Sequence, residues 1–254
     1  MLSLRFLGVG NAHAVALGNS SAVLESGGAP RLLIDCGPTV PDAFQRTYAT
    51  PVPEAVFITH NHFDHVGGLE PLFYRLACGE DKVEPVKLFV PAAIIERLHA
   101  QLGNDPMRLA EGGVNFWDCF HLIPVGDHFW HAGRLLNVFA VQHHAYRSAF
   151  GLGLRGSFLY TGDTRPVPEV LAQYAGNEET VFHDCALQGN PSHTGIEDLA
   201  RFYSAEQRQK LVLYHYESDL AGEQMRTRGY RVAVAGERFE LESVGRDIDL
   251  LKSA

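Results

Sequence analysis

Apolar and polar residues fall into short blocks, and the first third of the chain has the look of strands. Leu4-Arg5-Phe6-Leu7 runs into Gly8 and Gly10. Ser21 to Leu24 and Arg31 to Ile34 are two further short apolar runs, and Gly27-Gly28-Ala29-Pro30 between them predicts a hairpin. Pro41 to Tyr48 reads as a helix. Ala55-Val56-Phe57-Ile58 is continuously apolar and ends in Thr59-His60, which fits a buried strand. Gly67-Gly68 is expected to let the backbone turn tightly into a helix from Leu69 to Leu76. Val86 to Val90 predicts a strand, and Pro91 takes the first helical position of a segment from Ala92 to Leu102. Asn104 to Gly113 is polar and irregular. Leu135 to Val141, Phe158 to Tyr160, Leu211 to Tyr214 and Tyr230 to Val234 predict strands, and Gly195 to Tyr203 a helix. A strand-rich opening followed by alternating strands and helices suits a layered α/β sandwich better than an all-parallel sheet. No repeat, low-complexity tract or Pro/Ser-rich linker interrupts residues 1–254, so a single domain is expected.

Composition narrows the picture. The chain is 46% hydrophobic and 20% charged, an ordinary globular balance. Its formal net charge of −9 gives no general attraction for a phosphate backbone, so a large nucleic acid is not an expected partner. No apolar run approaches the ~18 residues of a membrane span, and Met1 to Gly8 reads as a first strand rather than a leader. A cytoplasmic location is therefore expected. Cys36, Cys78, Cys119 and Cys185 are too scattered for a disulfide framework and read as buried or half-buried thiols. The sequence leaves a homodimer open.

The chain has 13 histidines, several of them close together, and imidazole is the commonest metal ligand. His60-Asn61-His62-Phe63-Asp64-His65 puts His60, His62, Asp64 and His65 directly after a core strand. A strand end is a rigid platform, and the loop beyond it can aim such side chains at one point. Three later segments repeat the design, each an apolar strand feeding polar residues: Val138 to Gln142 before His143-His144, Ser157 to Tyr160 before Thr161-Gly162-Asp163-Thr164, and Leu211 to Tyr214 before His215. Neighbouring strand ends converge at one sheet edge, where α/β folds bind ligands. Nitrogen and carboxylate donors suit divalent ions, zinc first, with manganese or iron also accommodated. Which histidine of the His143-His144 pair binds stays open. The alternation Phe139, Val141, His143 favours His143.

The pattern His60-x-His62-x-Asp64-His65 resembles the signature of the metallo-β-lactamase superfamily, and the resemblance covers nearly the whole chain. It begins at Phe6-Leu7-Gly8-Val9-Gly10, continues through Leu33-Ile34-Asp35-Cys36-Gly37 and ends at the strand carrying His215. It implies a four-layer αβ/βα sandwich with two divalent ions between the sheets. One ion would take His60, His62 and the third histidine, the other Asp64, His65 and His215, with Asp163 bridging. The ribonuclease Z-like branch is the nearest in pattern. Phe158 to Thr164 resembles its Ser-Gly-Asp-Thr segment, His183-Asp184-Cys185 its His-Glu-Ala-Thr motif with Asp184 in place of Glu, and Ser192-His193-Thr194 its His-Ser-Thr segment. Leu213 to Ser218 resembles its Leu-Thr-His-Phe-Ser. In tRNA-processing members a long arm lies between the third histidine and the bridging aspartate. Here His143 and Asp163 stand too close in sequence to hold one. The chain thus resembles arm-less relatives that open cyclic nucleotides, the anti-Pycsar phosphodiesterases. By that resemblance Asp64 also orients, or takes a proton from, the nucleophile, His193 supplies a proton to the leaving oxygen, and Asp184 orients an imidazole, that of His193. A lactone, ester or thioester hydrolase on the same metals is the rival activity. An RNA endonuclease ranks below it.

Other features carry less chemistry. Gly8-Val9-Gly10 follows a strand, but His13 replaces the third glycine of a dinucleotide fingerprint. Asp35 reads as a turn residue or a partner to a ligand, His128-Phe129-Trp130-His131 as an exposed hairpin, and Phe63 as packing.

Overall fold

The computed structural model describes residues 1–79, 84–104, 107–176 and 178–242. Its first half runs β1 (Leu2–Gly8), β2 (Ser21–Ser26), β3 (Ala29–Ile34), α1 (Val40–Tyr48), β4 (Ala55–Phe57), α2 (Phe63–Val66), α3 (Leu69–Cys78), β5 (Val86–Pro91), α4 (Ile95–Leu102), α5 (Phe116–Cys119) and β6 (Phe120–Val125). The second half opens with strands β7 (His128–His131), β8 (Arg134–Ala140), β9 (Phe150–Leu154) and β10 (Phe158–Tyr160). It continues α6 (Pro168–Tyr174), β11 (Thr180–Asp184), α7 (Ile196–Phe202), α8 (Ala205–Gln209), β12 (Leu211–Tyr214), α9 (Asp219–Thr227), β13 (Arg231–Val232) and β14 (Arg238–Leu241).

Two seven-stranded sheets result, in the orders β14-β1-β2-β3-β4-β5-β6 and β13-β12-β11-β10-β9-β8-β7. Each is antiparallel along one flank and parallel along the other. In the first, β3 to β6 are parallel. In the second, β10 to β13 are parallel. The sheets face each other across one apolar core. Phe6 of β1 lies 5.5 Å from both Phe182 of β11 and Tyr214 of β12 between ring centroids. Phe129 of β7 stacks on Phe57 and Phe89 at 5.7 and 4.3 Å. Helices flank the pair, α1 against β1 and α9 against β13, and complete the four-layer αβ/βα sandwich.

Gly27 and Gly28, with φ of 62° and 80°, turn the β2–β3 hairpin in a conformation that costs glycine least. One buried carboxylate ties the antiparallel flank together. Glu25 of β2 accepts hydrogen bonds from Ser3 Oγ (2.8 Å), Arg5 Nε (2.8 Å), Tyr48 Oη (2.7 Å) and Arg238 Nε (2.8 Å). Burial opposes the charge of Glu25, but these donors outweigh it and hold its pKa below the ordinary value.

Several expectations need correction. Gly67 and Gly68 have helical φ of −63° and −77°, so no tight turn depends on them. Gly68 is small because two backbones meet there, a Cβ on it lying 2.2 Å from the Gly37 carbonyl oxygen, whereas a Cβ on Gly67 would meet the Phe63 ring at 2.7 Å. Pro91 ends β5 instead of opening a helix, and a 3-10 turn at Ala92–Ile94 precedes α4. Strands β6, β9, β11 and β14 lay outside the periodicity reading. Strand β9 carries Gly151 and Gly153, which dilute the apolar signal, and the edge strand β6 carries Pro124. The hairpin at His128 to His131 is half-buried, because Phe129 and His131 point inward and His131 Nε2 donates to the Arg31 carbonyl at 2.7 Å. Cys36, Cys119 and Cys185 are buried, Cys78 is exposed, and all are free thiols. Residues 105 and 106 of the irregular Asn104 to Gly113 stretch, and the end of the chain from residue 243, lie outside the described residues. Among the described residues no helix is long and apolar enough to cross a membrane.

Candidate metal centre

The parallel strands of both sheets deliver their polar residues to one edge of the sandwich. β3 leads into Asp35, β4 into Thr59 and His60, β10 into Asp163, β11 ends at Asp184, and β12 leads into His215. β8 brings His143 in from the antiparallel side. Asp35 and His215 hold φ of 60° and 69°, the left-handed region that non-glycine residues rarely occupy. Such backbone strain collects where function fixes a side chain.

One carboxylate oxygen organises the cluster. Asp163 Oδ2 lies 3.7 Å from His60 Nε2, 3.9 Å from His143 Nε2, 3.3 Å from His65 Nε2 and 3.2 Å from His215 Nε2. Asp64 Oδ2 sits 3.3 Å from His65 Nε2 and 3.7 Å from His215 Nε2. The donors fall into two sets that share Asp163: His60, His62, His143 and Asp163, and Asp64, His65, His215 and Asp163. A third group, Asp184, His193 and His215, adjoins them through His215. His62 is partly exposed, and its Nδ1 lies 3.1 Å from His143 Nε2.

Partners on the far side of each ring set its tautomer. His65 Nδ1 donates to Asp35 Oδ2 at 2.8 Å. Thr59 Oγ1 donates to the same oxygen at 2.7 Å, so it accepts from His60 Nδ1, 3.0 Å away. His143 Nδ1 donates to the Ser192 carbonyl at 2.8 Å. These bonds turn the Nε2 lone pairs of His60, His65 and His143 inward. There His60 Nε2, His65 Nε2, His215 Nε2 and Asp163 Oδ1 are buried with no hydrogen-bond partner among the described residues. A buried polar atom left unpaired costs about 1–3 kcal/mol, and a cation among these nitrogens and oxygens removes that cost. The donor set therefore fits divalent metal ions.

The metal-free electrostatics tell the two sets apart. Burial pushes His60 well down, and it pushes His143 down to about 4, against the pull of Asp163. Burial also works against charge on His65 and His215, but Asp163 and a second carboxylate on each outweigh it. His65 is held well above its ordinary value and His215 raised to about 10. Burial likewise opposes Asp163, yet His215, His65 and His60 keep it ionised.

A second dyad borders the cluster. Asp184 Oδ2 accepts from His193 Nδ1 at 2.8 Å and from the Thr164 amide at 2.8 Å, and its Oδ1 lies 3.3 Å from His215 Nδ1. The His193 ring stacks on His215 with centroids 4.9 Å apart. Burial lowers the affinity of His193 for a proton, but the bond to Asp184 more than compensates and raises its pKa. The loop before α7 is anchored by Thr194, whose amide and hydroxyl both donate to the Thr164 carbonyl. His183 takes no part: it is buried and bonded to Tyr203 Oη at 2.7 Å.

His144 is exposed and packs its ring against His62 and His143 at 4.7 and 4.4 Å, outside both donor sets. A cleft of about 210 Å³ opens beside this flank, and Ile94, Arg97 and Ser148 line it together with His62 and His144. Arg97 gave no sign in the sequence, because only the approach of α4 to the edge brings it there. Phe63 is 58% exposed, with one ring face lying over Gly67. Gly8 lies against the Asn19 carbonyl, where a Cβ would come within 2.4 Å, so it serves a close backbone approach.

Three comparisons bear on this geometry. A family described as "Anti-Pycsar protein Apyc1" matches residues 2–239. The anti-Pycsar protein Apyc1 of Paenibacillus harenae is 31% identical over 249 residues, covering 94% of this chain and 100% of that protein. Among solved structures, the metallo-beta-lactamase fold protein YhfI from Bacillus subtilis superposes with a TM-score of 0.74 at 16% identity, covering 94% of this chain and 98% of that one. A diphosphatase from the PhnP family also gives a TM-score of 0.74, at 17% identity, covering 95% of this chain and 98% of that one.

Proposed function

The chain belongs to the anti-Pycsar protein Apyc1 family, and on that footing we propose that it opens small cyclic nucleotides by hydrolysing one ester bond of a 3′,5′-cyclic phosphate. It is a metal-dependent hydrolase of phosphodiester type. The observation that supports the finer reading is the Asp163 carboxylate common to two donor sets, with the His193–Asp184 dyad beside it against His215. A protein that merely stored metal would have no need of that dyad.

In this reading His60, His62 and His143 would hold one divalent ion and Asp64, His65 and His215 a second, with Asp163 available to both sets. Zinc suits this donor set, and manganese or iron would be held by the same atoms. When bound, the ions supply an ionised water at neutral pH and offset charge on the phosphoryl oxygens. Asp64 would orient the nucleophile or take a proton from it. His193 carries the proton that the leaving oxygen needs. Asp184 fixes Nδ1–H of His193, favours the charged ring, and so leaves Nε2–H as the donor. A ribose alkoxide leaves poorly without such an acid.

Size supports a small substrate. Between His143 and Asp163 the chain forms only a short loop and the β9–β10 hairpin, with no arm to grip a folded RNA. The net charge of −9 argues the same way. The test is a cleavage screen of metal-loaded protein on 3′,5′-cyclic nucleotides, bis(p-nitrophenyl) phosphate, short RNA and lactones. Turnover of cyclic nucleotides and the model diester is expected. Lactone turnover with no phosphodiester cleavage would overturn the proposal, and so would preference for RNA.

A further inference from the structure

The second sheet turns one face to the first sheet and the other to solvent and α6. Tyr160 of β10 points at Phe6 across the core, with ring centroids 6.3 Å apart. Leu159, one residue earlier, therefore points to the outer face. It pairs with Gly153 of β9, and Gly153 pairs with Asn137 of β8. This row lines a cavity of about 360 Å³, and Tyr174 of α6 forms one of its walls. The Tyr174 ring is held by stacking on Phe139, with centroids 5.1 Å apart. A Cβ on Gly153 would sit 3.3 Å from the Phe158 carbonyl oxygen, a tight contact but not a forbidding one. The missing side chain leaves the floor of the cavity open. Glu179, also in the lining, precedes β11, whose opposite end carries Asp184. The cavity thus lies away from the metal edge, and none of the residues lining it belongs to the metal donor sets.

Two opposite charges line this cavity without pairing. Glu179 is only 5% exposed. Its Oε1 accepts from the Gly156 amide at 2.7 Å, and its Oε2 is buried with no hydrogen-bond partner among the described residues. Arg155, in the β9–β10 turn, is exposed and makes no ion pair or hydrogen bond among the described residues. A buried carboxylate oxygen without a donor is costly, and an ammonium bound there removes that cost. The guanidinium repels a bare cation but offers a planar fork of donors to a carboxylate. Leu159 and Tyr174 add apolar surface for a carbon skeleton. We propose that this cavity binds a small zwitterion, a free amino acid, whose ammonium meets Glu179 Oε2 and whose carboxylate meets Arg155. Its volume falls within the ~300–1,000 Å³ of small-molecule sites.

The experiment is calorimetric titration of the metal-loaded protein with the proteinogenic α-amino acids and 4-aminobutyrate. The tightest binder is then compared with the matching amine, which lacks the carboxylate, and the matching acid, which lacks the ammonium. At least one amino acid should bind saturably, and each truncated compound should bind ~10-fold more weakly or worse, the loss expected of a bond to a charged group. Glu179→Gln still accepts from the Gly156 amide, and Arg155→Ala changes an exposed position. Each should weaken the amino acid by a similar factor. Glu179→Gln should no longer tell the amino acid from the acid, and Arg155→Ala should no longer tell it from the amine. Should Glu179→Gln fail to fold, Arg155→Ala with the amine and amino acid pair decides alone. Binding by no member of the panel overturns the site, and so does binding that neither variant weakens. Amine and amino acid bound alike by the wild type would mean that Arg155 takes no part, and would overturn the zwitterion.

Discussion

At the scale of single residues, the two adjacent histidines His143 and His144 have opposite surroundings. His143 is buried, with Nδ1 committed to the Ser192 carbonyl and Nε2 turned toward His62 and Asp163. His144 is exposed. His143→Ala should therefore lose bound metal, and His144→Ala should keep it, as read by elemental analysis after gel filtration. The reverse pattern would move the ligand to His144. His193 touches the cluster only through ring stacking and through Asp184, so His193→Ala should keep both metal and fold. Its kcat on an alkyl-leaving diester should drop by ~100-fold or more. The drop should be much smaller for p-nitrophenolate, which leaves without a proton. An equal loss on both substrates with metal intact would remove the acid role.

At the scale of elements, the Glu25 carboxylate joins β1, β2, β14 and α1 through four donors. Its folded pKa is depressed, so the stability it contributes is complete above the ordinary glutamate value of about 4.3 and is lost as pH falls through the lower folded value. Glu25→Gln should unfold at lower urea at pH 7, with a loss of about 1.5–3 kcal/mol for hydrogen bonds to a charged group. The gap to wild type should close below pH 4.3 or so. A gap that persists unchanged into strong acid would show that the effect comes from packing. Strand β4 teaches something related about legibility. Its run Ala55 to Phe57 is buried on both faces between parallel neighbours, and such strands announce themselves as continuous apolar runs. Strand β11 is as deeply buried but ends in His183-Asp184, and those polar residues read as a motif before they read as a strand end.

At the scale of the whole molecule, the sequence disclosed the layered fold and the residues that gather at its edge because both follow from local order: a short apolar run, then a polar side chain. What it did not disclose depends on approach between distant segments. The need for Gly68 arises from the Gly37 carbonyl, and Arg97 reaches the cleft only because α4 packs where it does. The sequence leaves Asp35 open as a partner to a ligand, but which one, His65 of α2, depends on the meeting of that helix with the end of β3. None of these has a periodicity to read.

The donors come from both halves of the sandwich. His60, His62, Asp64 and His65 follow a strand of one sheet, whereas His143, Asp163 and His215 follow strands of the other. A bound ion is then a rivet through two leaves, and its affinity for the folded state is also resistance to their parting. Chelation should loosen the riveted margin before the rest. Amide hydrogen exchange should quicken in residues 58–66, 141–149, 161–166 and 214–218, while β1, β2 and β14 at the Glu25 junction keep their protection. Exchange that quickens equally everywhere would mean that the leaves were never joined there. If the margin does loosen alone, the reaction site doubles as the clasp of the book, and a cell short of metal would meet this protein as a substrate for its proteases before it missed the activity.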